Sequence, residues 1–300
     1  MFLRRSLLLV PGTHDEATQK ETIRTSGADV VCLDLEDTVL PPRKPEARRL
    51  VAKLFAEGDW GRTARGLRIN AVSSPYAEDD ITEVVTLSKG MIDVIMMSKP
   101  ESADEVRWLD DLLTRLCKAQ GIDRNIKISV GIESARALTD IDQIAAASPR
   151  LEALGFAIGD LSTSLGVQIS NFLVDRSSYP GDLFHFVRSR INLAAKAHGL
   201  LSLDGPWPII NDHATLAEDA RWGAMLGFDG KLALSIPQVK VIHEAYRPTE
   251  REVAYAKQMI ALMAEAEAAG EGAAVVDGTF LDPVVIGHAK ATLARAEAPV

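Results

Sequence analysis

An α/β fold, a (β/α)8 TIM barrel with a C-terminal helical and hairpin lid extension, is what the 300-residue sequence predicts. Three observations carry this. Short β-branched or aliphatic runs alternate with helix-like stretches, the pattern of parallel strands joined by crossover helices. The alternation repeats about eight times in roughly 235 residues, which matches such a barrel in count and size. Six of the runs, VVCLDLED, GLRIN, DVIMMSKP, IKISVGIES, LEALGFAIGD and LLSLDG, end on ionisable residues, delivering Glu36 and Asp37, Arg68, Lys99, Glu133, Asp160 and Asp204. Strand ends are where catalytic groups converge in a barrel, so these residues form a site hypothesis on placement alone.

Taken in order, SLLLVP (6–11) predicts the first strand and a helix follows from His14 to Ser26. VVCLDLED (30–37) precedes a helix opening near Pro42, GLRIN (66–70) precedes AEDDITEVVTLSK, and DVIMMSKP (93–100) precedes SADEVRWLDDLLTRLCKAQ. There, Ser102 with Glu105 three residues later has the pattern of a capping box. IKISVGIE (126–133) leads to SARALTDIDQIAAAS, and LEALGFAIGD (151–160) to a less regular section with a helix around 181–199. LLSLDG (200–205) is followed by DHATLAEDARWGAML, and GKLAL (230–234) closes the series. An open doubly wound sheet shares the alternation but usually has fewer units and a Gly-rich first turn; PGTHDEA after the first strand is no G-x-G-x-x-G.

The barrel is expected over 1–245 and the extension over 246–300. Pro248-Thr249-Glu250 opens a long helix running to Ala269, with Gly270 and Gly272 at its end. In AAVVDGTFLDP, two short apolar arms flank Asp277-Gly278, a pair suited to the φ > 0 turn of a hairpin, and Asp282 follows the second arm.

Composition excludes some function classes. A net charge of −9 and a pI near 5.3 argue against non-specific nucleic-acid binding, which needs a basic face. The apolar stretch of the N-terminus spans only Ser6 to Val10 before Pro11, too short for a signal-peptide core or a membrane helix. Cys32 and Cys117 read as buried thiols, and the expectation is a cytoplasmic protein without membrane association.

Glu133 and Asp160 close neighbouring strands, and two carboxylates with further positions filled by water and substrate oxygens are how proteins hold Mg²⁺, with Mn²⁺ as the alternative ion. No Cys/His cluster has zinc spacing. The bland alternative is that each acid caps the following helix. Arg68, with Asn70 two residues on, needs an anion, either a substrate or an internal partner such as Glu36 or Asp37. Lys99 has the same two readings. Asp34, Glu36 and Asp37 crowd three acids into four residues, which requires cations nearby. Asp204 and Asp212 read as loop and cap acids, and His14 is the histidine clearly placed at the catalytic edge.

Read together, RSLLLVPG, LDLEDTV, RIN, Lys99-Pro100-Glu101, GIESARAL, IGD and LGFDGK closely resemble the citrate lyase β-subunit-like family of the HpcH/HpaI aldolases. That family includes malyl-CoA, β-methylmalyl-CoA and citramalyl-CoA lyases, and the resemblance spans nearly the whole chain. It implies a TIM barrel, Mg²⁺, homotrimers or hexamers, and making or breaking of a carbon–carbon bond beside a thioester. Carried over by position, it implies Glu133 and Asp160 as metal ligands, Arg68 at the oxygen on which charge develops, and Asp282 as a lid acid completing a neighbouring subunit's site. From their own placement, Glu36 and Asp37 are counted with the catalytic residues, orienting metal-bound water or a basic residue, and Lys99 and Asn70 are counted with Arg68 as candidates for binding substrate. The expected substrate is an acyl-CoA, with an acyl carrier protein thioester as the other carrier; Arg4, Arg5, Lys44, Arg48 and Arg49 are candidates for the CoA phosphates. The chain departs from the pattern at Leu234-Ser235-Ile236, where Ser235 replaces a usual histidine. Thioester hydrolysis, citryl thioester cleavage within a larger enzyme and pyruvate-type aldol chemistry are the rival activities, and a non-catalytic scaffold is the reading that leaves the internal charges unexplained.

Overall fold

The computed structural model describes residues 4–168, 181–276 and 279–297. Parallel strands β1 (Ser6–Pro11), β2 (Val30–Asp34), β3 (Ala64–Ile69), β4 (Val94–Met97), β5 (Lys127–Ile132), β6 (Leu151–Phe156), β7 (Leu201–Asp204) and β8 (Gly230–Ala233) pair in chain order. β1 also pairs with β8, so the sheet closes into a barrel. Closure leaves no edge strand and lets alternate side chains fill the interior. Leu7, Val30, Cys32, Ala64, Val94, Met96, Ala153, Leu203 and Leu232 form that interior core. It is a packed plug, so chemistry is confined to the rim where polar residues replace the aliphatic ones.

Around the barrel run α1 (Glu16–Thr25), α2 (Lys44–Glu57), α3 (Ala77–Leu87), α4 (Ala103–Gln120), α5 (Ala135–Thr139), α6 (Ile141–Ala145), α7 (Ile158–Ser164), α8 (His185–Ala197), α9 (His213–Leu226) and α10 (Ile236–Tyr246). Three local details differ from the sequence reading. The SARAL…AAAS stretch breaks at Asp140 into two short helices. Glu105 reaches back to the backbone N–H of Glu101 at 2.6 Å rather than to that of Ser102, whose hydroxyl makes no capping bond. Asp160 is not at a strand end: β6 stops at Phe156, and Asp160 lies in the first turn of α7. Asp212 does cap α9, accepting from Thr215 N–H.

The last quarter of the barrel wall is tied to its helices by buried charge. Arg188 on α8 pairs with Asp204 on β7 at 2.5 Å and with Asp182 at 3.2 Å; Lys231 on β8 pairs with Asp204 at 2.9 Å and with Asp219 on α9 at 2.5 Å. Asp204 is therefore an interior partner of two cations rather than the loop acid its turn context suggests. Both cations are 2% exposed or less, which is tolerable only because each has several carboxylate partners.

The chain divides into two compact units, one ending at Ile242 and one beginning at His243. Within the second, α11 (Glu250–Ala268) opens on a complete capping box between Thr249 and Glu252. Strands β9 (Ala274–Val276) and β10 (Thr279–Leu281) pair antiparallel, and the expected turn residues Asp277-Gly278 lie outside the described residues. A final helix, α12 (Pro283–Ala296), packs with α11 around Ala256, Met259, Leu281 and Ala289. No helix among the described residues is long and apolar enough to cross a membrane.

At Gly230, the first residue of β8, a Cβ would lie 1.9 Å from the carbonyl oxygen of Arg4. That contact is backbone and cannot swing away. Gly230→Ala is expected to lower the unfolding free energy by about 1–3 kcal/mol in urea titrations, the range for overpacking; a wild-type midpoint would show that the β1–β8 seam has slack.

Candidate active site

The rim at the C-terminal ends of β2 to β6 gathers most of the ionisable residues singled out in the sequence. β2 and β3 are in register so that Asp34 and Arg68 are direct neighbours. Arg68 Nε and Nη2 donate to the two oxygens of Asp34 at 2.6 and 2.7 Å, a bidentate fork. Asp34 is fully buried and also accepts from the Thr38 hydroxyl at 2.6 Å and from Glu36 N–H at 2.9 Å. Burial alone would raise its pKa, but the Arg68 hydrogen bonds and charge hold it below the ordinary carboxylate range. Arg68's pKa is correspondingly raised, so its charge is permanent.

Glu36 and Asp37 follow on the loop after β2. Arg68 Nη1 lies 2.9 Å from Glu36 Oε2, close enough to pair as charges but without hydrogen-bond alignment, so that buried oxygen has no hydrogen-bond partner among the described residues. The other oxygen of Glu36 accepts from Lys99 Nζ at 2.6 Å. Lys99 Nζ also reaches Asp37 Oδ1 at 3.1 Å and stands 3.7 Å from Asp160 Oδ2. Burial would lower the lysine's pKa, but Glu36 and Asp37 raise it, so this ammonium stays charged.

Lys99 has a left-handed backbone, φ 53°, a conformation that costs an L-residue about 1–2 kcal/mol. Its N–H meets Glu133 Oε1 at 3.1 Å, so one residue holds Glu133 through its main chain and Glu36 through its side chain. Glu133 is 5% exposed, and its carboxylate folds back over Gly131, where a Cβ would stand 2.5 Å from Oε1. Burial, with Glu36 and Asp160 nearby, pushes the pKa of Glu133 up to about 8, against only the Lys99 N–H and the Arg68 charge.

A carboxylate so destabilised by burial and like charge, beside the exposed carboxylate of Asp160, is suited to a hard divalent cation. Among the described residues no three His, Cys, Asp or Glu side chains converge as a complete cage. A cation held by Glu133 and Asp160 would therefore keep positions for water or substrate oxygens, the arrangement a Lewis-acid site requires.

Other expected residues lie elsewhere. Asn70 is buried: Nδ2 donates to Leu35 O and Asp80 Oδ2, and Oδ1 accepts from Lys44, so its polar atoms are committed inside the protein and not to substrate. Lys44 and Arg48, candidates for CoA phosphates, are 4% and 3% exposed and bonded to protein groups. Arg4 pairs with Glu152 and Arg5 with Asp29, while Arg49 is exposed. His14 is exposed on the loop after β1. Asp282 caps α12, its Oδ1 accepting from the N–H groups of Val284 and Val285. Arg68 does stand against Glu36 and Asp37, the internal partners expected from the sequence, but its bidentate partner is Asp34, which alternation places on the same strand face as Glu36.

The HpcH/HpaI aldolase/citrate lyase family is matched over residues 5–235. An L-malyl-CoA/β-methylmalyl-CoA lyase of Cereibacter sphaeroides is 33% identical over 302 residues, covering 98% of this chain and 94% of that protein. A (3S)-malyl-CoA thioesterase of the same species is 32% identical, covering 98% and 95%. The crystal structure of protein CitE from Mycobacterium tuberculosis in complex with magnesium, acetoacetate and coenzyme A aligns with a TM-score of 0.78 at 30% identity, covering 99% of each chain.

The raised pKa of Glu133 has a measurable sign. A carboxyl that titrates at about 8 when folded and at its ordinary 4.5 when unfolded binds its proton more tightly in the fold, so stability falls as pH rises through that window. In EDTA, Glu133→Gln is therefore expected to gain on the wild type as pH rises from about 5 to about 8, by no more than ~1.4 kcal/mol per pH unit, and to level off above. Urea unfolding across that range measures it, and a pH-independent difference would remove burial and like charge as the cause.

Proposed function

The chain belongs to the HpcH/HpaI aldolase/citrate lyase family, and on that premise we propose that it is a Mg²⁺-dependent carbon–carbon lyase. Its substrate is a 3-hydroxy-3-carboxyl acyl-CoA of the malyl-, β-methylmalyl- or citramalyl-CoA type, cleaved to or formed from an acyl-CoA and a 2-keto acid. The observation that carries this reading is the convergence on one rim of the Glu133 and Asp160 carboxylates with the Asp34-locked guanidinium of Arg68. The near-full-length likeness to the Cereibacter lyase, and the magnesium and coenzyme A bound by CitE, support the chemistry and the cofactor.

In cleavage the substrate hydroxyl gives up its proton to solvent water, and the electron pair left on oxygen forms the keto-acid carbonyl as the carbon–carbon bond breaks. The electrons of the broken carbon–carbon bond move onto the thioester as an enolate, which then takes up a proton at carbon. Glu133 and Asp160 are the residues that would hold Mg²⁺, which when bound would supply Lewis-acid chemistry to the reacting substrate. Arg68 faces the charge that develops on the enolate oxygen; being fixed on Asp34 beforehand, it needs no reorganisation as that charge appears. Lys99 holds Glu36 and Asp37 in place and contributes a permanent positive charge toward an anionic substrate. Asp282 is assigned the proton transfer at the enolate carbon, acting from a neighbouring subunit of a homotrimer or hexamer. Its two capping bonds both use Oδ1.

The deciding assay incubates the protein with malyl-CoA, β-methylmalyl-CoA, citramalyl-CoA and citryl-CoA, with Mg²⁺ or EDTA, and measures keto acid and free thiol together. Mg²⁺-dependent keto acid without thiol is expected, with Asp160→Asn slower by at least ~10²-fold, the scale of losing a principal electrostatic contact. Thiol without keto acid would instead make the protein a thioesterase, as the second Cereibacter relative is named. Asp282→Asn is expected to leave thioester binding intact while slowing exchange of the α-proton of the acyl-CoA product into solvent; NMR exchange at the wild-type rate would remove Asp282 from proton transfer.

A further inference from the structure

Behind the rim, Lys44 opens α2 in a place where a cation is unfavourable on two counts: it is 4% exposed, and it lies at the positive end of a helix. What offsets this is three acceptors. Lys44 Nζ donates to Leu35 O at 2.7 Å, to Glu36 O at 3.0 Å and to Asn70 Oδ1 at 2.7 Å, and its position over the Tyr76 ring, 5.2 Å from the centroid, closes the remaining side. An ammonium carries three donors, and all three are used.

The two carbonyls are those of the peptide units on either side of the Glu36 Cα. Fixing both units fixes the backbone torsions of Glu36 and hence the direction of its side chain. The anchor extends inward: Asn70 Nδ2 donates to the same Leu35 carbonyl at 2.9 Å, Asp80 Oδ2 accepts from Asn70 N–H at 3.0 Å, and Arg48 Nε donates to Asp80 Oδ1 at 2.8 Å. On the outer side Glu36 touches Lys99 Nζ at 2.6 Å and Arg68 Nη1 at 2.9 Å.

We propose that Lys44 is a positioning residue of the active site: by clamping the carbonyls of Leu35 and Glu36, it aims the Glu36 carboxylate, and through it the cations of Arg68 and Lys99. This rests on the lyase reading for its catalytic consequence, and on geometry alone for the clamp. Lys44 touches neither reacting atoms nor the surface, so its loss acts through orientation, where misplacement of a catalytic group costs up to about 10²-fold in rate.

Lys44→Met keeps the aliphatic stem and removes every donor. Two results are expected together in the folded variant: amide hydrogen exchange over Leu35–Val39 speeds up by about tenfold or more while other barrel strands keep their protection, and kcat on the thioester that the wild type cleaves falls by about 10- to 10²-fold with KM nearly unchanged. Exchange unchanged over 35–39, kcat unchanged, or a rise in KM alone would each overturn the proposal, the last by assigning Lys44 to substrate binding. Should Lys44→Met fail to fold, Asn70→Ser, which withdraws both the second donor to Leu35 O and the side-chain acceptor that orients Lys44 Nζ while leaving the lysine its two carbonyls, is expected to give the same pair of changes at smaller size. If the wild type turns over none of the thioesters, the lyase reading fails by itself, and the exchange at 35–39 still decides whether Lys44 holds Glu36.

Discussion

The Asp34–Arg68 pair is the constraint on which the rest of the rim depends. Both groups are withdrawn from water at the top of an apolar plug, and a buried pair of this kind adds little net stability. Removing one partner is another matter, since the other is left as an uncompensated interior charge. The pair also does geometric work: Asp34 takes Glu36 N–H and Thr38 as well as Arg68, so the register between β2 and β3 is transmitted directly into the loop that carries Glu36 and Asp37.

From there the rim is a problem of charge balance. Asp34, Glu36, Asp37, Glu133 and Asp160 stand against Arg68 and Lys99, five acids to two cations. The deficit concentrates on Glu133, the one of the five without an ion pair among the described residues, and burial beside Glu36 and Asp160 is why its proton is held so tightly. The imbalance suits the proposed lyase, whose site would take both a divalent ion and an anionic thioester: the protein alone supplies too little positive charge for such a substrate, and its acids outnumber its cations until an ion is added.

The barrel was legible because its evidence is periodic. Each aliphatic run is long enough to cross the sheet, and β-branched content separates it from the helices between. The strand-end acids were legible for the same reason, since counting outward from Cys32 or Leu67 reaches the rim. What was not legible depends on contacts between distant segments. Asn70 continues the alternation of Arg68, yet β3 ends at Ile69 and the side chain turns to Lys44 and Asp80. Lys44 and Arg48 sit in a KPEARR string that offers them as candidates for a ligand's phosphates, and no local pattern distinguishes them from exposed Arg49. Lys231 in GKLAL likewise shows only as a strand residue, because the partners that make it an interior cation, Asp204 and Asp219, come from different elements.

The ionic seam that joins β7 and β8 to α8 and α9 sets this quarter of the barrel apart in its response to conditions. Charges sealed from water are screened weakly, so added salt that loosens the surface pairs elsewhere leaves Arg188 and Lys231 nearly untouched. Warming lowers the hydration that such groups forfeit on burial, whereas the return from aliphatic packing flattens. The wall's final segment thus grows tighter relative to its neighbours as temperature climbs, and the barrel is closed by a joint whose grip is least sensitive to brine and best kept in heat.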